Sequence, residues 1–368
     1  MAWYNIQNID TIDSPSLVLY ENLVDKNLKQ MIAMVNGETE RLMPHVKTNK
    51  LEEVIKKMVA LGIRHFKAST ISEAEITAKA KASSVLIAHQ LVGPKIERLA
   101  QLILAYPACQ FSVLVDNAES AIILNEVAEN NQITISVYID INTGMDRSGI
   151  ELGPSLNDLI AKLKESKHLK FRGLHAYDGH IHDTSFSTRK SKIEHGFNEV
   201  ESLFAELFRQ DDSLKLVSGG TPAFTSHLEH PNRVCSPGTS VFWDWGYSEM
   251  LPEQSFDTAV LIITRVISKP TKGIITVDLG HKAVAAENPI HKRVKLLNLD
   301  KYELISQSEE HGVLKVENWD QIKVGDVFYG IPFHICPTIN LHDEISVIAD
   351  QSRIDTWQIT ARKRRINI

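Results

Sequence analysis

The chain has 368 residues, 43% hydrophobic and 23% charged, with a net charge of −6 and a pI near 6.2. That is too long for one average domain, although an α/β barrel absorbs about 250 residues. The acidic balance argues against a nucleic-acid or polyanion partner, and no apolar run reaches the roughly 18 residues of a membrane span.

Three scattered cysteines, Cys109, Cys235 and Cys336, make no disulfide framework. The first residues, with Trp3, Asn5, Gln7 and Asp10, lack the charged and apolar regions of a secretory leader, so a cytoplasmic protein is expected. After a lead-in over residues 1–15, residues 16–20 read as a strand and 22–36 as a helix ending at Gly37. Strand-like segments follow at 42–46, 63–68, 84–88, 111–115, 133–139, 171–175, 214–217 and 234–236. Helical spacing lies between them at 51–61, 72–80, 95–105, 118–129, 155–164 and 192–208. Continuous apolar strands such as Val85-Leu86-Ile87-Ala88 suit a parallel sheet covered on both faces. Eight such strands predict an α/β fold, a TIM (β/α)8 barrel over residues 16–250. The G-x-G-x-x-G fingerprint of an open dinucleotide-binding sheet is absent from the sequence. Beyond residue 250, short β-rich runs at 258–268, 273–277, 313–316, 326–330 and 345–349 predict a mainly antiparallel β domain over 251–368, joined by residues 1–15. The basic run Arg362-Lys363-Arg364-Arg365 reads as a solvated tail.

Polar motifs gather where the predicted barrel strands end, which is the catalytic rim of such barrels. The first strand runs through Met43-Pro44-His45-Val46 into Lys47-Thr48-Asn49-Lys50. A lysine walled by strand residues can lose its charge and attack an aldehyde. The fifth strand enters Asp140-Ile141-Asn142-Thr143-Gly144-Met145-Asp146-Arg147-Ser148-Gly149, whose arginine could hold a phenolate or carboxylate oxygen. The sixth ends in His175-Ala176-Tyr177-Asp178-Gly179-His180-Ile181-His182, a set with acid/base capacity. The seventh and eighth end in Ser218-Gly219-Gly220-Thr221 and Pro237-Gly238-Thr239, where barrels often bind a phosphate. In the second domain His334-Ile335-Cys336 pairs an imidazole with a thiol two residues on; in an extended segment both would face one ion, with Zn²⁺ favoured.

Together, in this order, these motifs resemble the fold-type III pyridoxal-phosphate enzymes, and within them the D-threonine aldolase and D-serine dehydratase branch. The resemblance covers essentially the whole chain. It implies that Lys47 is the Schiff-base lysine, that Arg147 contacts the cofactor's phenolic oxygen and Tyr177 its ring, and that Ser218, Gly219, Gly220, Thr221, Gly238 and Thr239 cradle its phosphate. It makes His334 and Cys336 a metal pair of the dehydratase type, for Zn²⁺ or Mn²⁺, where the aldolases show His-x-Asp. Catalytic roles fall to Lys47, Tyr177, His180 and His182. The expected activity is a lyase acting on D-3-hydroxy amino acids, with dehydration to a 2-oxo acid and ammonia as first reading and retro-aldol cleavage to glycine and an aldehyde as the alternative. An amino-acid racemase, with Tyr302 or Tyr329 as a second base, and a non-catalytic cofactor carrier are further alternatives. The resemblance also implies a homodimer. The sequence departs from the branch at Met43, usually arginine, and at Asn49, usually histidine.

Overall fold

The structure, a computed structural model, describes residues 2–368. It separates into two compact units: residues 31–238 with 361–368, and residues 2–30 with 239–360. The sequence pattern places this boundary at residue 250, with residue 16 in the barrel.

In the first of these units, seven parallel strands form one sheet in sequential order. They are β2 (His65–Ala68), β3 (Ser84–Gln90), β4 (Gln110–Val115), β5 (Ile135–Ile141), β6 (Leu169–Ala176), β7 (Lys215–Ser218) and β8 (Arg233–Cys235), numbered after β1 (Ser16–Tyr20). The eighth barrel position is filled by residues 42–46, which form only isolated bridges, Leu42 to Cys235 on one side and His45 to Lys67 on the other. Met43 N donates to Cys235 O (2.8 Å) and His45 N to Pro237 O (2.9 Å), while Val46 N donates to Lys67 O (2.8 Å) and Lys67 N to Pro44 O (3.0 Å). The expected strand is thus reduced to a seam, because Pro44 has no N–H to offer β2. The seam still closes the barrel.

Helices alternate with these strands: α2 (Glu52–Ala60), α3 (Ile71–Lys79), α4 (Pro94–Ala105), α5 (Ala118–Asn130), α6 (Pro154–Glu165) and α7 (Phe186–Gln210), following α1 (Glu21–Met34). The link after β7, unclear in the sequence, is a 3₁₀ turn leading into α8 (Phe224–Leu228). Inside the barrel Met43, Leu86, Leu114, Tyr138, Val217 and Val234 make an apolar layer. Two residues further along three of these segments, His45, Ala88 and Asp140 occupy the next inward positions, so the layer above is more polar. That change of character marks the C-terminal mouth.

The second unit carries a nine-stranded mixed sheet with a spine ordered β12-β13-β10-β9-β1-β15-β16; β14 pairs with β9 and β11. Its later strands are β9 (Val260–Thr271), β10 (Ile274–Val277), β11 (Val294–Leu296), β12 (Tyr302–Gln307), β13 (Gly312–Val316), β14 (Val327–Pro332), β15 (Glu344–Ala349) and β16 (Ser352–Gln358). β1 pairs antiparallel with β9 and parallel with β15, so the apolar run Leu17-Val18-Leu19 is covered here. Strands β11, β12 and β16 had no counterpart in the sequence reading. β11 is only three residues long with an exposed Lys295 between two buried positions, and β12 and β16 are mostly exposed or half-buried, so none presents an apolar run. Two short helices, α9 (Trp245–Met250) and α10 (Ile335–Ile339), complete the set used below. Among the described residues no helix is long and apolar enough to cross a membrane.

The turn that presents Lys47 is braced from below. Lys50, at φ +55°, ion-pairs with Glu73, whose side chain is fully buried on α3. Glu73 also accepts from Ser69 N (2.6 Å) and Ser69 Oγ (2.9 Å). Removing one partner of a buried pair leaves the other charge uncompensated, at a cost of about 3–5 kcal/mol. Glu73→Ala is therefore expected to lower unfolding free energy by about that amount in urea denaturation.

Candidate active site

At the barrel mouth lies a cavity of about 270 Å³, lined by His45, Lys47, Lys67, Ser69, Ala88, His89, Gln90, Arg147, Ser148, His175 and Tyr177. Lys47 occupies the turn over residues 46–49, which Lys50 N closes onto Val46 O (2.9 Å). Asn49 Oδ1 accepts from Leu51 N (3.1 Å), so the residue that departs from the branch pattern serves the local turn. Of the two lysines of the motif, Lys50 is held by Glu73 and Lys47 faces the cavity.

Three basic side chains surround the ring of Tyr177. Arg147 Cζ lies 5.0 Å, Lys67 Nζ 5.7 Å and Lys47 Nζ 6.0 Å from its centroid. The ring is slotted between two glycines: a Cβ on Gly179 would fall 2.2 Å from the phenol carbon, and one on Gly220 would fall 3.0 Å from the ring. Arg147 is carried on the loop after β5, where Ile150 N returns to Asp140 O (2.9 Å) and Ser148 Oγ donates to Asp140 Oδ2 (3.0 Å).

The acids of the rim are engaged elsewhere. Asp140 Oδ1 lies 2.7 Å from His175 Nδ1, and its Oδ2 accepts from Gln90 Nε2 (2.8 Å). Burial pushes the Asp140 carboxyl up, but the bonds from His175, Gln90 and Ser148 prevail and hold it below the usual range. Asp178 Oδ2 meets His227 Nε2 at 2.8 Å, and His227 Nδ1 meets Arg233 Nη1 at 2.9 Å. Gly219, at φ +65°, makes room for that histidine, since a Cβ there would come within 2.5 Å of its ring. His45 and His175 are both driven below the ordinary imidazole range by burial, with Lys47 the next cause at His45 and Lys67 at His175.

Gly238 N donates to Thr221 Oγ1 (3.0 Å), which ties the loop after β8 to that after β7, and Gly219 N donates to Ala176 O at the end of β6 (2.9 Å). Those two amides are spent within the protein. The buried hydroxyls of Ser218 and Ser236, at the ends of β7 and β8, have no hydrogen-bond partner among the described residues. His180 is half-buried with an unpartnered Nδ1 and His182 is exposed; neither lines the cavity.

The second unit brings His334 and Cys336 together, though not in the expected extended form. His334 is the extended residue capping α10, and Cys336 stands in that helix's first turn, where Pro337 needs no N–H partner. His334 Nδ1 lies 2.6 Å from Glu287 Oε1. Burial opposes the charge on His334, but hydrogen bonds with Cys336 and Glu287 outweigh it and raise the imidazole to about 9. Thr239 Oγ1 lies 3.4 Å from Cys336 Sγ. Among the described residues no group of three or more His, Cys, Asp or Glu side chains is arranged to hold a metal ion. Tyr302 is occupied through its hydroxyl by Leu296 N (2.7 Å), and Tyr329 is buried in the apolar cluster of this unit.

A parallel barrel with a lysine-bearing seam, an arginine loop after β5 and a mixed β unit defines a fold-type III enzyme. The family model "Alanine racemase, N-terminal domain" matches residues 22–244, and the chain belongs to that family. A second model, "Putative serine dehydratase domain", matches residues 259–348. The chain is 27% identical to a D-threonine aldolase of Arthrobacter sp over 361 residues, covering 95% of this chain and 93% of the relative. It is 22% identical to a D-serine dehydratase of Dictyostelium discoideum over 386 residues, covering 95% and 97%. The crystal structure of D-threonine aldolase from Filomicrobium marinum superposes with a TM-score of 0.86 at 28% identity, covering 98% of each chain. The chain is thus a lyase of the pyridoxal-phosphate-dependent class.

The residues present fit that cofactor. It is an aldehyde with a phosphate and a phenolic oxygen, and the cavity lining holds Lys47, Lys67 and Arg147 and no carboxylate. Two buried, unpartnered hydroxyls at the ends of β7 and β8 add donors of the kind a phosphate takes.

Because His45 and His175 are held neutral, the unfolded chain binds more protons than the native one once pH falls below about 6.5. The depressed Asp140 carboxyl adds a loss in the same direction at lower pH, near and below 3.8. Urea midpoints are therefore expected to fall between about pH 7 and pH 5, and His45→Gln should flatten that fall.

Proposed function

We propose that this protein is a lyase for D-3-hydroxy amino acids in which Lys47 binds pyridoxal phosphate covalently. The observation that carries the reading is Lys47 on a strand-end turn, facing a cavity with Lys67, Arg147 and no carboxylate in its wall. In this reading Arg147 holds the phenolic oxygen, Tyr177 contacts the ring, and Ser218, Gly219, Gly220, Thr221, Gly238 and Thr239 enclose the phosphate. Gly219 and Gly238 serve chiefly by close packing, since their amides are already bonded. When bound, the cofactor supplies the electron sink for breaking a bond at the α-carbon.

His334 and Cys336 are the residues that would hold a divalent cation, which supplies Lewis acidity toward a hydroxyl oxygen. Glu287 orients His334 by accepting from Nδ1, which leaves Nε2 as the ligating nitrogen. The imidazole–thiolate pair favours dehydration, giving a 2-oxo acid and ammonia. The second reading, retro-aldol cleavage to glycine and an aldehyde, is supported by the higher identity to the Arthrobacter aldolase than to the Dictyostelium dehydratase. For that reaction His180, with its unpartnered buried Nδ1, is a better proton acceptor than the exposed His182.

Incubation with pyridoxal phosphate, Zn²⁺ or Mn²⁺, and D-serine or D-threonine is expected to release pyruvate or 2-oxobutyrate. Glycine with acetaldehyde would instead establish the aldolase reading, and no turnover with any metal would overturn both. Lys47→Ala should abolish the absorbance of the bound cofactor and the activity together.

A further inference from the structure

Lys67 is absent from the motifs of the sequence reading. It sits on β2, 2% exposed, with its side chain turned into the barrel and its amine on the cavity wall. Nζ donates to Gly219 O (3.2 Å) and lies 3.4 Å from His175 Nε2. Asp140 can only accept at His175 Nδ1, so Nδ1 carries the proton and Nε2 is an acceptor. Two N–H bonds of Lys67 therefore have acceptors within the protein. A neutral amine has two N–H bonds and a lone pair, and this arrangement satisfies it with the third position left over. Among the described residues no carboxylate ion-pairs with Lys67, and Asp140 and Asp178, the acids nearest in influence, each hold a histidine.

We propose that Lys67 is a second cofactor-binding lysine, an amine that takes up a proton as the pyridoxal phosphate anion binds. The inference rests on the reading that this cavity holds that cofactor. Its electrostatic basis is the crowding of like charges. Lys47 faces Lys67 from the seam, Arg147 from the loop after β5, and His45 and His175 from the barrel interior, while Asp140 and Asp178 attract it and Tyr177 turns its ring toward it. Burial and the Lys47 ammonium outweigh the two acids and push Lys67 down to about 7. An anion entering the cavity reverses the balance and favours the charged amine. Binding and protonation are then linked: each strengthens the other.

The test uses the full-length chain prepared free of cofactor and titrated with pyridoxine 5'-phosphate, the alcohol analogue that cannot bond to Lys47. Calorimetry in buffers of different ionisation enthalpy counts the protons taken up, and binding constants are followed from about pH 7.5 to 9. The wild-type protein should take up more protons than Lys67→Met. Its affinity should fall by up to about tenfold per pH unit across this range, while that of Lys67→Met stays level. Lys67→Arg, a permanent cation, should bind without the extra uptake, and it carries the test alone if Lys67→Met does not fold. Equal proton uptake by wild type and the variants would overturn the proposal. Borohydride trapping of pyridoxal phosphate on Lys47 separates this from failure of the underlying reading. Trapping without Lys67-linked uptake removes only the role of Lys67, whereas no binding of either compound removes the cofactor assignment and the proposal with it.

Discussion

The constraint on which the barrel mouth depends is its charge accounting. Glu73 is taken by Lys50, Asp140 by His175 with Gln90 and Ser148, and Asp178 by His227. Every one of these acids is at least nine-tenths buried, and each is matched before it can reach the cavity. The basic groups left over are Lys47, Lys67 and Arg147, which share one aromatic ring. Buried charges persist only when paired or when their charged form is lost. A site so arranged has a standing affinity for an anion, and it obtains that affinity from where the carboxylates are placed.

The same accounting explains why so much of the supporting structure is buried and polar. The chain Asp178–His227–Arg233 continues to Glu201, which Arg233 meets at 2.8 Å. Arg233 is fully buried and stacks on Phe197, with Cζ 4.7 Å from the ring centroid. This network fixes His227, His227 requires Gly219 to lack a side chain, and Gly219 in turn places its carbonyl on Lys67. Packing and electrostatics therefore act through one short segment, the turn after β7. A glycine that the motif suggests as a phosphate cradle is also a packing necessity.

The barrel was legible because its strands are nearly continuous apolar runs, and the regular alternation with helices survives a shift of a residue or two at most ends. The seam at 42–46 was read as a full strand because Pro44 costs a ladder bond that periodicity does not register. The mixed sheet was only half legible, since strands such as Tyr302–Gln307 and Ser352–Gln358 carry exposed charges. At the site, Lys47, Arg147 and Tyr177 could be found because they close strand-end motifs. Lys67 was missed for the opposite reason, lying inside a strand between Phe66 and Ala68. The signal was nonetheless there: a charged residue within a parallel strand covered on both faces has to be paid for by a role.

His334 and Cys336 show the limit of reading spacing as geometry. Two residues apart means one face only in a strand, and here the pair straddles a helix cap. They converge because an extended imidazole folds back over the first turn, where Cys336 also meets Thr239. The neighbours that favour a proton on His334, Glu287 and Cys336, are of the kind that would also favour a divalent cation. A cation held here would take the place of that proton at little cost in charge, and an aspartate in place of Cys336 would offer it a harder, less polarisable ligand. In the proposed lyase a cation held by this pair would draw on the hydroxyl oxygen, so the choice between dehydration and cleavage would rest with the pair and its carboxylate.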